Sequence, residues 1–152
     1  MTGLLHFEDF PVGEVVTYGA YEMTAEEIKA FAAEFDPQPF HLDEAAGAKS
    51  IAGGLSASGW HTIAVNQRLM YDGYLKHTAS MGSFGVEEVK WLKPVFAGDV
   101  LTTRRTTLEA RVSSSQPDMG ILKMRWQLFN QTGELKLDML GTGLVKVRGE
   151  SR

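Results

Sequence analysis

The stretch EFDPQPFHLDEAA, residues 34–46, places an aspartate, two prolines, an amide and a histidine within six residues, directly behind a strongly patterned helix. A carboxylate and an imidazole are the usual pair for moving protons near neutral pH, and the prolines remove backbone freedom between Asp36 and His41. Extended chain would hold these two side chains well apart, so joint action requires the loop to curl until both meet one water or one substrate atom. The same residues also suit a rigid surface turn in which Asp36 caps backbone groups. Spacing alone leaves both readings open.

Upstream, EVVTYGAYEM (14–23) reads as an opening strand. Thr24, with Glu27 three positions on, forms a capping box ahead of a helix. Ile28, Phe31, Ala32 and Phe35 then fall at i, i+3, i+4 and i+7, which gives that helix one apolar face. Pro37 ends it, because a residue before proline is pushed out of the α region, and this puts Asp36 at the helix exit.

Downstream, GWHTIAVNQRLMYDGYL (59–75) predicts a second helix with apolar residues round most of its circumference, the pattern of a buried helix. Gly53, Gly54 and the small residues Ser56 to Gly59 lead into it, so that backbone N–H groups face whatever precedes its N-terminus. From residue 83 onward the period is two. Val100, Leu108, Ala110 and Val112 share one face; Leu122, Met124, Trp126 and Leu128 alternate with Lys123, Arg125 and Gln127; and Leu135, Leu137, Met139, Val145 and Val147 hold odd positions. SFGVEEVKWL (83–92) changes parity, which predicts a bulge near Glu87 and Glu88, while QPDMG and QTGE supply turns. Helices followed by antiparallel strands give an α+β domain, one buried helix packed on a curved sheet, over residues 1–152.

Composition narrows the function classes. A chain of 152 residues that is 43% hydrophobic carries enough apolar side chain for a core. Fifteen Lys and Arg against nineteen Asp and Glu, with no dense basic block, argue against a nucleic-acid partner. The absence of cysteine excludes disulfides and thiolate chemistry. The opening MTGLLHFEDFPVG has no charged segment followed by a long apolar run, and no later stretch approaches eighteen uninterrupted apolar residues. These features predict a soluble, cytoplasmic protein without a membrane partner.

FDPQPFHLD (35–43) resembles the hydratase motif D-x-N-P-x-H-x-D of MaoC-like dehydratases and (R)-specific enoyl-CoA hydratases. MTAEEIKAFAAEFD (23–36) looks like that family's helix leading into the motif, GGLSASGWHT (53–62) its approach to the central helix, and VKWLKPVFAGDVL (89–101) its P-V-x-x-G-D strand entry. The resemblance implies a hot dog fold, in which a long central helix is wrapped by a curved antiparallel sheet, with subunits paired as a homodimer or higher homo-oligomer and an acyl-CoA site at the interface. It implies hydration of a trans-2-enoyl-CoA to the (R)-3-hydroxyacyl product, with Asp36 and His41 activating water and the Gly59 N–H binding the thioester oxygen. A helix N-terminus suits that oxygen physically, since it presents unpaired N–H groups and a favourable dipole. Gln38, Phe40, Ser58 and Trp60 are then expected along the substrate. No metal and no cofactor is implied, coenzyme A being part of the substrate. The chain departs from the pattern at Gln38, where the motif has asparagine, and at Ser58, where many members have histidine.

Other groupings carry less. His61 could supplement the site or serve as a hydrogen-bonded packing residue, and Asp36, His41 and His61 lack tight metal-ligand spacing. Ser56, Ser58 and His61 lack the context of a nucleophile elbow. Trp60, Trp91 and Trp126 are expected in the core or an interface, with Trp60 near the acyl pocket, and Arg104, Arg105 and Arg111 on solvent-facing strand positions. Thioester hydrolysis and non-catalytic acyl-CoA binding are the alternative functions for such a fold.

Overall fold

The computed structural model describes residues 3–149. Strand β1 (Val15–Glu22) is followed by helices α1 (Ala25–Phe35), α2 (Pro39–Leu42), α3 (Glu44–Ala48) and α4 (Gly59–Gly73). Strands β2 (Ser80–Gly82), β3 (Val86–Trp91), β4 (Val100–Val112), β5 (Met119–Phe129) and β6 (Leu135–Lys146) complete the fold. Six strands make one antiparallel sheet in the order β1-β4-β5-β6-β2, and β3 shares the β6 edge with β2. The helix α4 lies against this sheet, so the arrangement is the expected hot dog: α+β, a central helix in a curved antiparallel wrap.

The Thr24 hydroxyl accepts from Glu27 N–H and starts α1, and Asp36 ends it with φ −153° and ψ 68°. The capping box is only half used, because Glu27 turns its carboxylate to Tyr21 and His61 instead. Of the expected apolar face of α1, Ile28 and Ala32 are fully buried and Phe31 half-buried. Phe35 is 65% exposed, its ring 5.1 Å from that of Phe31.

The core is filled by Val65, Leu69 and Met70 of α4 against Leu122, Met124, Trp126 and Leu128 of β5 and Leu137 and Met139 of β6. That is the alternation expected for β5 and β6. The bulge expected near Glu87 and Glu88 is present as a register shift between Val86 and Glu88. For α4 the expectation of all-round burial is corrected. One face, packed on the sheet and on α1, buries His61, Thr62, Val65, Asn66, Leu69 and Met70, while Trp60 and Tyr71 on the other are 64% and 48% exposed.

The face assigned to β4 is also corrected. Leu101, Thr103, Arg105 and Thr107 point inward, whereas Ala110 and Val112 are exposed and Val100 and Leu108 half-buried. Arg105 was expected in solvent and is 2% exposed. Burial of a guanidinium is tolerated here because Glu14 pairs with it at 2.8 Å and it donates to the Tyr18 and Thr107 hydroxyls. The aromatic rings of Phe10 and Tyr74 lie 5.0 and 5.1 Å from the guanidinium carbon and complete its surroundings. Arg111 is exposed as expected and Arg104 half-buried. Arg105→Ala removes one partner of this pair and is expected to destabilise the fold by about 3 kcal/mol, the low end for a broken buried pair because Glu14 keeps partial access to water. Guanidinium unfolding of the two proteins side by side measures it.

Candidate active site

Asp36 leaves α1 with its N–H on the Ala32 carbonyl, and Pro37 forbids another helical turn. The chain then curls. Gln38 N–H donates to the Asp36 carbonyl at 2.8 Å, His41 N–H to the Gln38 carbonyl at 3.0 Å, and Pro39 opens the single turn α2 that carries His41. The result brings His41 Nε2 to 3.5 Å from Asp36 Oδ2. That gap is too long for a direct hydrogen bond and suits two groups addressing a common atom.

Both side chains are fixed from behind. His41 Nδ1 lies 2.6 Å from the Ser56 carbonyl oxygen, an obligate acceptor, so Nδ1 carries a hydrogen, and in its neutral form the ring presents a lone pair at Nε2. Ser58 Oγ donates to Asp36 Oδ2 at 2.7 Å, and Gln38 Nε2 donates to Oδ1 at 2.7 Å. The Ser58 bond first, then that of Gln38, hold the Asp36 carboxyl below the usual carboxylate range, with the charged form of His41 adding a smaller electrostatic contribution and burial opposing all three.

Ser58 is also the N-cap of α4, its Oγ accepting from Trp60 N–H at 3.3 Å. Gly59 follows as the first helical residue. Among the described residues its N–H has no hydrogen-bond partner, as is usual in a first turn. Its carbonyl accepts from Trp91 Nε1 at 2.9 Å, and a Cβ built on it would come within 2.6 Å of that nitrogen. Trp91 can pack here only because residue 59 has no side chain.

These groups open on one cleft of about 360 Å³. Asp36, Gln38, His41, Gly59 and Trp60 line one wall, and Trp91 to Val95 line the other. Ser58 and Phe40, expected along the substrate, lie outside the lining of this cleft. Ser58 is fully buried and spends its hydroxyl on Asp36 and the helix cap, and Phe40 packs edge-on to His41 and lines a neighbouring hollow with Lys49 and Ile51. Trp91 was expected in a core or interface; it is 48% exposed and forms cleft wall. The P-V-x-x-G-D stretch that follows it was the available signal. His61 does not join Asp36 and His41: it is 3% exposed and bonded to Glu27.

The profile of the MaoC like domain matches residues 8–123, so the chain belongs to the MaoC-like family. A crystal structure of the MaoC-like dehydratase from Rhodospirillum rubrum is similar with a TM-score of 0.86 and 38% identity, covering 96% of this chain and 99% of that one. The (R)-hydratase from A. caviae involved in PHA biosynthesis is 25% identical with a TM-score of 0.69, covering 93% of this chain and 99% of that one. A Mycobacterium tuberculosis protein with a double hot dog fold is 18% identical, with a TM-score of 0.84 over 99% of this chain and 46% of that one, and attests the fold alone.

Because the folded Asp36 carboxyl sits below its unfolded value, its stabilisation is complete above the ordinary carboxylate range and is lost as pH falls through the depressed folded value. Ser58→Ala removes the main cause. The stability gap between wild type and this variant is therefore expected to be widest near neutrality and to narrow on acidification, as read from denaturant midpoints across about pH 3 to 7.

Proposed function

We propose that this protein reversibly hydrates a trans-2-enoyl-CoA to the (R)-3-hydroxyacyl-CoA. One observation carries the proposal: Asp36 Oδ2 and His41 Nε2 face each other across 3.5 Å, beside the Gly59 N–H, which has no partner among the described residues, in one cleft. With the ring in its neutral form both are acceptors, which repel at that separation unless a donor bridges them, and one water can donate to both. Its oxygen is then free to attack C3 of the enoyl group.

The roles divide by basicity. Ser58 and Gln38 keep Asp36 ionised and weakly basic, so it orients the water and balances developing positive charge, while His41 Nε2 takes the proton. Electron density moves to the thioester oxygen, which the Gly59 N–H and the start of α4 stabilise. The proton then passes to C2. Water is the only reagent consumed, and this scheme calls for no group beyond the chain and its CoA thioester. Gln38 reaches Asp36 despite its extra methylene, so the departure from asparagine leaves the pair assembled.

The uncovered face of α4 and the exposed Trp91, Leu92 and Val86 supply apolar surface for a second copy of the chain, in keeping with a homodimer. Among the described residues no helix is long and apolar enough to cross a membrane. We assign the protein to the cytoplasm, where its CoA thioesters would be met.

The test follows the loss of enoyl-thioester absorbance over a panel of trans-2-enoyl-CoA substrates. Asp36→Asn and His41→Ala are each expected to reduce kcat by about 10³-fold. Loss of absorbance without thiol release supports hydration; thiol release would replace it with hydrolysis, and binding without turnover with a non-catalytic module.

A further inference from the structure

Glu27 stands where a capping box would turn its carboxylate back to the Thr24 N–H, and it faces the other way. The Tyr21 hydroxyl donates to it at 2.7 and 2.8 Å, and His61 Nε2 lies 2.8 Å from Oε2. A carboxylate only accepts, so Nε2 carries the hydrogen. The His61 ring lies flat on Phe31, centroids 4.6 Å apart and planes at 7°. Its Nδ1 is buried and has no partner among the described residues. A leucine would fill this position without an orphaned nitrogen, so the histidine must contribute something that packing does not.

Its neighbours indicate what. Glu27 and Phe31 lie on α1, whose end delivers Asp36, and His61 lies in the first turn of α4, just past Ser58 and Gly59. One imidazole therefore joins the helix bearing the carboxylate to the helix bearing its hydrogen-bond donor, by a charge-assisted bond on its edge and a stacked ring on its face. We infer that His61 is a positioning residue: through Glu27 and Phe31 it sets the offset of α1 against α4 and so keeps the Ser58 hydroxyl within reach of Asp36. What that offset serves rests on the proposed function; the geometry does not.

The ionisable groups facing the clamp are Glu27 from α1, Tyr21 from β1 and Arg68, whose charge acts on Tyr21 from α4. Burial, followed by the Glu27 bond and charge, pushes the Tyr21 hydroxyl up to about 12, so it stays a donor across the working range. Asp36, where the effect is read, faces His41 from α2.

The test is a carboxyl-carbon NMR titration of Asp36 in the full chain, assigned with Asp36→Asn. Ser58→Ala is expected to raise the midpoint, since it removes the main depressing bond. His61→Phe keeps the stack and loses the N–H; it and Glu27→Ala should each raise the midpoint by about half of the Ser58→Ala shift. Glu27→Gln still offers an acceptor to Nε2 and should stay nearer wild type. If His61 only packs, His61→Phe lowers the melting temperature and leaves the Asp36 midpoint at the wild-type value, which overturns the inference. Should that variant fail to fold, an unchanged midpoint in Glu27→Ala, a partly exposed site, overturns it equally. With turnover in hand, His61→Phe should lower kcat and keep KM within about twofold. If the wild type hydrates no enoyl-CoA, the proposed function falls, and the titration still decides the clamp.

Discussion

The hydrogen bond from Ser58 to Asp36 is the constraint on which the site depends. It spans 22 residues of sequence and ties the end of α1 to the start of α4 at 2.7 Å. Its acceptor is ionised, which makes it stronger and more directional than a neutral pair. The same hydroxyl oxygen accepts the Trp60 N–H, so capping α4 and fixing the carboxylate are one act. Without it, residues 36–41 would still curl and Gln38 would still hold Oδ1, but the carboxylate would lose its bond to the helix whose N-terminus completes the cleft.

His41 depends on a second line of support that begins deep in the sheet. Its partner, the Ser56 carbonyl, belongs to a segment stitched to the opposite wall, with Ala57 N–H on the Val95 carbonyl at 2.8 Å and Ser56 bridged to Phe96. That wall is a turn. Gly98 has φ +92°, a conformation costly for other residues, and Asp99 accepts from Phe96 N–H at 2.9 Å. Beneath it Lys136, 2% exposed, donates to the Pro94 carbonyl at 2.9 Å and pairs with Asp99 and Glu134. A buried ammonium is expensive unless its hydrogens are all taken up, and here they hold the turn that forms the cleft's far side. The P-V-x-x-G-D stretch thus shapes the cleft through backbone geometry and one buried lysine.

Much of this was legible in the sequence because it was written in local rules. The Thr24 cap and Pro37 bound α1; the even positions of β5 and odd positions of β6 identify the core faces; a parity change marks the bulge in β3. Errors arose where distant partners overrule local pattern. The inward face of β4 reads polar because it carries Thr103, Arg105 and Thr107, and only Glu14, Tyr18 and Phe10, far away in sequence, make it a core face. The all-round apolar pattern of α4 says that its second face wants a cover, and cannot say that the described residues leave Trp60 and Tyr71 exposed there. The contacts of Ser58 and Trp91 were not legible for a similar reason: both are made with side chains or backbone more than twenty residues away.

The loop around Asp36 had two readings, a stiff turn capped by the aspartate or a support for a carboxylate and imidazole. They differ in where the carboxylate oxygens go. A capping aspartate gives them to nearby backbone N–H groups. Asp43 does this at the start of α3, accepting from Ala46 N–H at 2.9 Å. The turn at 36–41 closes through its main chain alone, by Gln38 N–H on the Asp36 carbonyl and His41 N–H on that of Gln38. Both Asp36 oxygens accept from side chains, Ser58 and Gln38, and one of them also faces His41. The loop is as stiff as the bland reading required, and its stiffness does not use the carboxylate. An ionised group that the fold has fixed on two sides, and does not need for closing its own turn, is the arrangement on which the proposed role of Asp36 rests.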